Sequence, residues 1–232
     1  MRLALLASFV HKWLALLLGL QIVFWVVSGL FFTLFPIQEI RSEHLIRKAT
    51  AQPLELRALP APAALANEAG AMPVRITAEQ RAAGPVVLAE YADGPSALFD
   101  ANSLARLSPI GAEQAREIAT RHVTLTSAPT AVVKVTEESA EYRGALPAWR
   151  VQFSDGGLSV YVAENTGSVT ARRSDLWRLY DALWALHIMD WRNHEDFNHP
   201  LIVITAWLTL LSVIAGIVLI PYRIGFSRKG KA

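Results

Sequence analysis

Residues 13–35 read WLALLLGLQIVFWVVSGLFFTLF, and this stretch decides the architecture. Its most polar members are Gln21, Ser28 and Thr33, and none of its 23 residues carries a charge. A helix rises ~1.5 Å per residue, so the run reaches roughly 34 Å and spans a hydrocarbon core of ~30 Å. Working outward, Pro36 closes the run, and on the other side only Lys12 and the titratable His11 interrupt the apolar residues back to Leu3. Residues 201–221, LIVITAWLTLLSVIAGIVLIP, repeat the pattern, with Thr205, Thr209 and Ser212 as the only hydroxyls. The sequence therefore predicts two transmembrane helices that hold everything between them on one side of a membrane.

The start, Met1-Arg2 followed by Leu3 to Val10, has the outline of a secretory leader. No small-x-small cleavage site follows, and the apolar run continues for more than twenty residues. The first span is accordingly read as an uncleaved signal anchor.

Charge orients the pair. All 20 Asp and Glu lie between Ile37 and His199, against 16 Lys and Arg, a net charge of −4 for that segment. The flanks carry Arg2, Lys12, Arg223, Arg228, Lys229 and Lys231 and no acid. Positive residues beside span ends stay cytoplasmic, which places both termini inside and residues 37–199 outside. The pI near 9 is then a topology signature, and nucleic acid is excluded as the expected partner. Cysteine is absent, which excludes disulfides, thiolate metal sites and a cysteine nucleophile. There is no Gly-x-Ser-x-Gly, no His-Glu-x-x-His and no phosphate-binding glycine loop, so nothing points to classical catalysis; the expected role is non-catalytic, with part of a membrane oxidoreductase as the alternative.

The middle divides by composition and periodicity. Residues 1–36 form the first membrane segment, and Ile37 to Lys48 an amphipathic exit. Residues 51–73 are rich in Ala and Pro, with a helix expected around Ala61–Ala69. Strand-like runs follow at Val74–Ile76, Pro85–Tyr91, Ala97–Asp100 and Ala105–Leu107, the second of them buried on both faces. A helix is expected over Ala112–His122, with strands at Ala131–Thr136, Ala148–Phe153, Leu158–Val162 and Ser168–Arg172. Asp175 to Met189 is an amphipathic helix. Read this way, residues 37–109 and 110–173 are two similar helix-plus-antiparallel-sheet modules, 174–199 an interfacial helix and polar neck, 200–222 the second span, and 223–232 a basic tail. The fold class is α+β, carried by a two-helix transmembrane hairpin.

Leu146-Pro147-Ala148-Trp149-Arg150-Val151, Ser159-Val160-Tyr161-Val162 and the turn Asn165-Thr166-Gly167-Ser168-Val169 resemble the PepSY domain. Trp177-Arg178 through His187, the span that follows, and the opening His11-Lys12-Trp13-Leu14 resemble PepSY-associated transmembrane proteins. The resemblance implies a bacterial inner-membrane protein with a periplasmic module that binds protein partners in an accessory or regulatory role. It implies two alternatives: a haem-carrying electron-transfer subunit related to ferric-siderophore reductases, and restraint of an exported protease. Two spans and no flavin or nicotinamide domain depart from the reductase pattern.

The histidines at the predicted membrane boundaries supply the candidate sites. His11, His187 and His199 are candidate axial ligands of a b-type haem. A membrane thickness separates His11 from the other two, so His11 does not pair with them in one chain. A homodimer would pair His11 with its mate, and His187 or His199 with theirs, and a partner protein is the alternative. His194, in the ligand-rich run Asp190 to His199, is the candidate metal ligand. The competing reading of that run is a polar neck in which Asn198 caps the second span. Trp177, Trp184 and Trp191 recur every seven residues as an aromatic belt. Gln21, deep in a span, calls for a hydrogen-bond partner, and Ser212 and Gly216 form a small-x-x-x-small surface for close packing, within the pair or in a dimer. Tyr142, Arg143 and Trp149 are candidates for an exposed recognition patch.

Overall fold

The computed structural model describes residues 2–48, 53–54, 56, 59–81 and 83–224. The tail basics Arg228, Lys229 and Lys231 lie outside the described residues, as does part of the Ala/Pro-rich segment. The chain is α+β, with two antiparallel sheets and two helices long and apolar enough to cross a membrane. It divides into two units, Met1–Pro36 with Leu179–Ala232, and Ile37–Arg178.

In the first unit, helix α1 runs Arg2–Leu34, eleven residues longer at its start than the uncharged run. Lys12 does not break it, because lysine is a good helix former and one charged side chain leaves the backbone ladder intact. Helix α5 runs Pro200–Arg223, with Pro200 in its first turn where a missing N–H costs nothing. His199, in extended conformation, precedes it as the N-cap; the cap is one residue later than the expected Asn198. The two helices pack along one another through small side chains: Ala7 on α1 and Thr205, Ser212 and Ala215 on α5 are buried. Hydroxyls within these helices return to their own backbone, Ser28 Oγ to the carbonyl of Phe24 (2.6 Å) and Thr209 Oγ1 to that of Thr205 (2.8 Å).

The second unit opens with the short helix α2 (Ile37–Ile40) and carries two sheets. Strands β1 (Arg75–Arg81), β2 (Gly84–Glu90) and β3 (Ala97–Asp100) form a meander in that order. Its core gathers Leu65, Val87, Ala89, Tyr91, Ala97 and Phe99, and the Tyr91 hydroxyl donates to the Leu65 carbonyl at 2.6 Å. Among the described residues between Pro53 and β1 there is no α-helix. A 3₁₀ turn over Pro62–Leu65 stands where a helix over Ala61–Ala69 was expected. Asn67 Oδ1 accepts from the N–H groups of Ala69 and Ala71, and that local turn outcompetes the helix ladder. Residues 105–107 make a bridge to Phe99 and no strand.

Helix α3 (Ala112–His122) begins as expected, with Gln114 Oε1 accepting from the Gly111 N–H at 2.8 Å. It covers one face of the second sheet, β4 (Ala131–Val135), β5 (Ala148–Gln152), β6 (Ser159–Ala163) and β7 (Val169–Arg173), ordered in sequence. Ala115, Ala119 and Val123 meet Val151, Val160 and Val162 there. On the opposite face Tyr142 covers Ala148 and Tyr161, so β6 is buried along its whole length. Helix α4 (Asp175–Ile188) follows, with the Ser174 hydroxyl accepting from the Trp177 N–H at its start.

Candidate functional site

His187 and His199 lie around the end of α4, where helix geometry creates a need for hydrogen-bond donors. The last carbonyls of any helix lack intrahelical partners, and an orphan carbonyl in apolar surroundings is costly. Three side chains supply the donors. Gln21 Nε2 donates to the Leu186 carbonyl (3.1 Å), Trp25 Nε1 to that of His187 (2.6 Å), and a ring N–H at His199 Nε2 to that of Ile188 (2.9 Å). This explains the amide and the indole inside an otherwise apolar helix: both cap α4. Met189 then adopts a left-handed backbone (φ 59°) that ends the helix.

His187 turns its ring into the same cluster. Its Nδ1 lies 2.7 Å from Ser28 Oγ, and that hydroxyl already donates to the Phe24 carbonyl. A hydroxyl has one proton, so Nδ1 carries the imidazole proton and Nε2 the lone pair. The ring stacks on Trp184 with an interplanar angle of 7° and meets Phe32 at 5.6 Å. His11 sits elsewhere on α1, its Nδ1 2.8 Å from the Ser212 carbonyl on α5 and its ring against Gly216. Seventeen residues of α1 separate His11 from Ser28, the partner of His187, which is roughly 26 Å along the helix. Two axial imidazoles face one another across a single macrocycle, so His11 and His187 of one chain do not fit one haem. His187 and His199 do share a neighbourhood, each with one ring nitrogen committed to a hydrogen bond.

The neck between α4 and α5 is organised around Asp190. Its carboxylate accepts from the backbone N–H groups of Arg192, Asn193, Glu195 and Asp196, and these donors hold its pKa well below the usual carboxylate range. His194 Nδ1 pairs with Asp181 Oδ2 at 2.5 Å, and the His194 carbonyl accepts from Trp184 Nε1. Among the described residues no group of three or more His, Asp or Glu side chains is arranged to hold a metal ion. His194 therefore meets one carboxylate and fastens the neck onto α4. A hollow of about 210 Å³ lined by Met189, Asp190, Asn193, Asp196, His199 and Leu201 opens beside it. It is smaller than the roughly 300–1,000 Å³ of small-molecule sites.

In the second unit, the expected patch of Tyr142, Arg143 and Trp149 is not a surface feature. Tyr142 is fully buried and stacks on Tyr161 at 4.4 Å, and half-buried Trp149 donates from Nε1 to the Ile110 carbonyl. The loop between β4 and β5 folds back over the sheet, and aromatic strand-flanking residues read alike whether they cover a core or face water. What the unit does expose is a strand edge. Among the described residues β4 pairs only with β5, and its Val133 is 42% exposed. Sequence reasoning missed Trp25, Asp181 and Asp190 as organisers, since nothing local distinguishes a capping indole from a belt indole.

No protein-family model, no curated protein and no solved structure matches the chain.

Proposed function

We propose that this chain is a PepSY-type inner-membrane protein that holds its α+β unit in the periplasm and acts there on protein partners, without chemistry of its own. The unpaired edge of β4 is the observation that carries this reading. Its sequence, Ala-Val-Val-Lys-Val, is rich in β-branched residues, and Val133 faces solvent. An open edge of this kind recruits an extended segment of another chain by main-chain hydrogen bonds, with side chains on alternate positions giving selectivity. Lys134 guards the edge against indiscriminate pairing; its ammonium is held by Glu164 at 2.8 Å. The apolar helices on either side of the unit, and the confinement of every acid to the segment between them, support an exported domain with cytoplasmic termini.

The test is a photo-crosslinking amino acid placed at Val133, with Glu117 on α3 as a control position, in cells. A discrete adduct at 133 and none at 117 is expected. Equal or absent adducts at both would sink the edge as the recognition surface. A protease in the adduct would select the restraint role.

A further inference from the structure

The contacts of α1 set the register of α4 and α5 against it, which bears on the depth of the first unit in a membrane. Two levels are tied together. Near its start, α1 meets α5 through His11, which touches Ser212 and Gly216. Fourteen residues further on, Trp25 donates to His187, and the adjacent Ile188 carbonyl is bonded by His199, the N-cap of α5. From Ser212 back to His199 is thirteen residues. The two helices thus run in opposite directions with matched rise, and the beginning of α5 lies at the level of Trp25. Carried the other way, the same register brings Arg2 and Arg223 to one level.

We infer that the hydrocarbon layer is bounded by Arg2 and Arg223 on the inner side and by Trp25 and the neck on the outer side, and that the neck rests in the outer lipid headgroups. From Arg2 to Trp25 is roughly 34 Å of helix, one bilayer core. Placing the layer over residues 13–35 instead would bring the level of Trp25 to mid-membrane, and with it the charges of Asp190, Arg192, Glu195 and Asp196. It would also lift Leu3, Leu5, Leu6, Phe9, Val213 and Ile217, all at least half exposed, into water. The inferred depth submerges one charge, Lys12. Helical side chains lean toward the N-terminus, so its stem carries the ammonium toward the inner headgroups, with Trp13 beneath it at 5.8 Å.

The neck has the chemistry of a lipid-surface contact. Trp191 and Phe197 are each 59% exposed and stand among charged and amide side chains, the pairing of apolar ring and polar neighbour that suits a headgroup layer. The nine residues of α1 above Trp25 rise through that layer, with Phe32 against Tyr180 and Trp184.

This inference rests on the membrane-anchored reading. The absence of native cysteine makes single-cysteine variants clean. Full-length F9C, L16C, L34C, W191C and F197C would each carry an environment-sensitive fluorophore in vesicles of phosphatidylethanolamine and phosphatidylglycerol. Quenching by nitroxides near the headgroup is compared with quenching by nitroxides deep in the acyl chains. Labels at F9C and L16C should be quenched several-fold better by deep nitroxides, and labels at L34C, W191C and F197C better by shallow ones. Deep quenching at L34C with none at F9C would overturn the inferred depth and restore the layer over 13–35. Absence of lipid quenching at W191C and F197C, with F9C and L16C deep, would overturn the neck contact. No quenching at L16C, which lies in the layer on either register, would show that the membrane reading itself fails.

Discussion

Tyr142 is where the second unit is most sharply testable. Its ring is fully buried and lies parallel to Tyr161, centroids 4.4 Å apart, closing the face of the sheet that α3 leaves bare. Its hydroxyl meets the Ala145 carbonyl and Thr170 Oγ1, both at 2.8 Å, and burial raises its pKa. Tyr142→Phe keeps the ring and leaves those two groups without this partner. Thr170 retains a contact with the Tyr161 carbonyl at 3.3 Å, and Ala145 is an exposed residue, so the loss is that of one ordinary hydrogen bond, about 0.5–1.5 kcal/mol. Tyr142→Ala removes the ring as well and opens a cavity over Ala148 and Tyr161, for a total of about 3–5 kcal/mol. Pulse proteolysis of full-length protein in detergent across a urea series reads the unfolding of this unit, because cleavage tracks the open population. The expected order is wild type, then Phe, then Ala, with the Phe variant nearer to wild type. An Ala variant within 1 kcal/mol of wild type would refute the claim that the β4–β5 loop is a structural lid.

Three further outcomes follow from other contacts. Burial, and then the Arg172 guanidinium that donates to its Nε2 at 3.1 Å, hold the His122 pKa below its ordinary value; the unfolded chain then takes up a proton that the folded one refuses. Stability of the second unit should therefore fall as pH drops through about 6.5, and His122→Asn should flatten that slope in a denaturation series at stepped pH. A Cβ on Gly216 would lie 3.0 Å from His11 Cε1, so Gly216→Leu should lower the detergent thermal midpoint markedly, and the loss should shrink in a His11→Ala background, the coupling that a double-mutant cycle reads. The visible spectrum of protein made with ample haem should stay featureless before and after dithionite. A Soret band that sharpens on reduction would replace the partner-binding reading with electron transfer, and single substitutions of His187 and His199 would then test the one neighbourhood where two candidate ligands share a helix end.

The large elements were legible because their patterns are redundant. Twenty-odd apolar residues leave no alternative to α1 and α5, and Ala115, Ile118 and Ala119 mark α3 at helical spacing. Strands β5 to β7 were found within a residue or so, since Gly156, Gly157 and Gly167, all with positive φ, punctuate them. The first sheet was read less well. Thr77-Ala78-Glu79-Gln80-Arg81 belongs to β1, yet Ala78 and Glu79 have low strand propensity, and pairing with the buried β2 holds them extended. The Ala-rich stretch near Leu65 failed in the opposite sense, because composition favoured a helix and the Asn67 turn prevented one. The second half has helix and sheet in the order expected of a repeat, whereas the first has a 3₁₀ turn and three strands.

The histidines show how far hydrogen bonding alone accounts for imidazoles placed beside apolar helices. Four of the six lie near span ends, which suggested ligands. In the structure His199 caps a carbonyl, His194 pairs with Asp181, His187 donates to Ser28 and His11 donates to Ser212. Of the four, His199 answers an orphan carbonyl at a helix end, whereas His11 reaches a carbonyl within α5, His187 a hydroxyl and His194 a carboxylate. Each meets a need for a polar partner where an unsatisfied group is costly. Imidazole suits that need, because one ring nitrogen donates while the body of the ring packs against aromatics, as His187 does on Trp184. The same economy places Gln21 and Trp25 inside α1. Polar residues in these helices are spent on joining α1, α4 and α5.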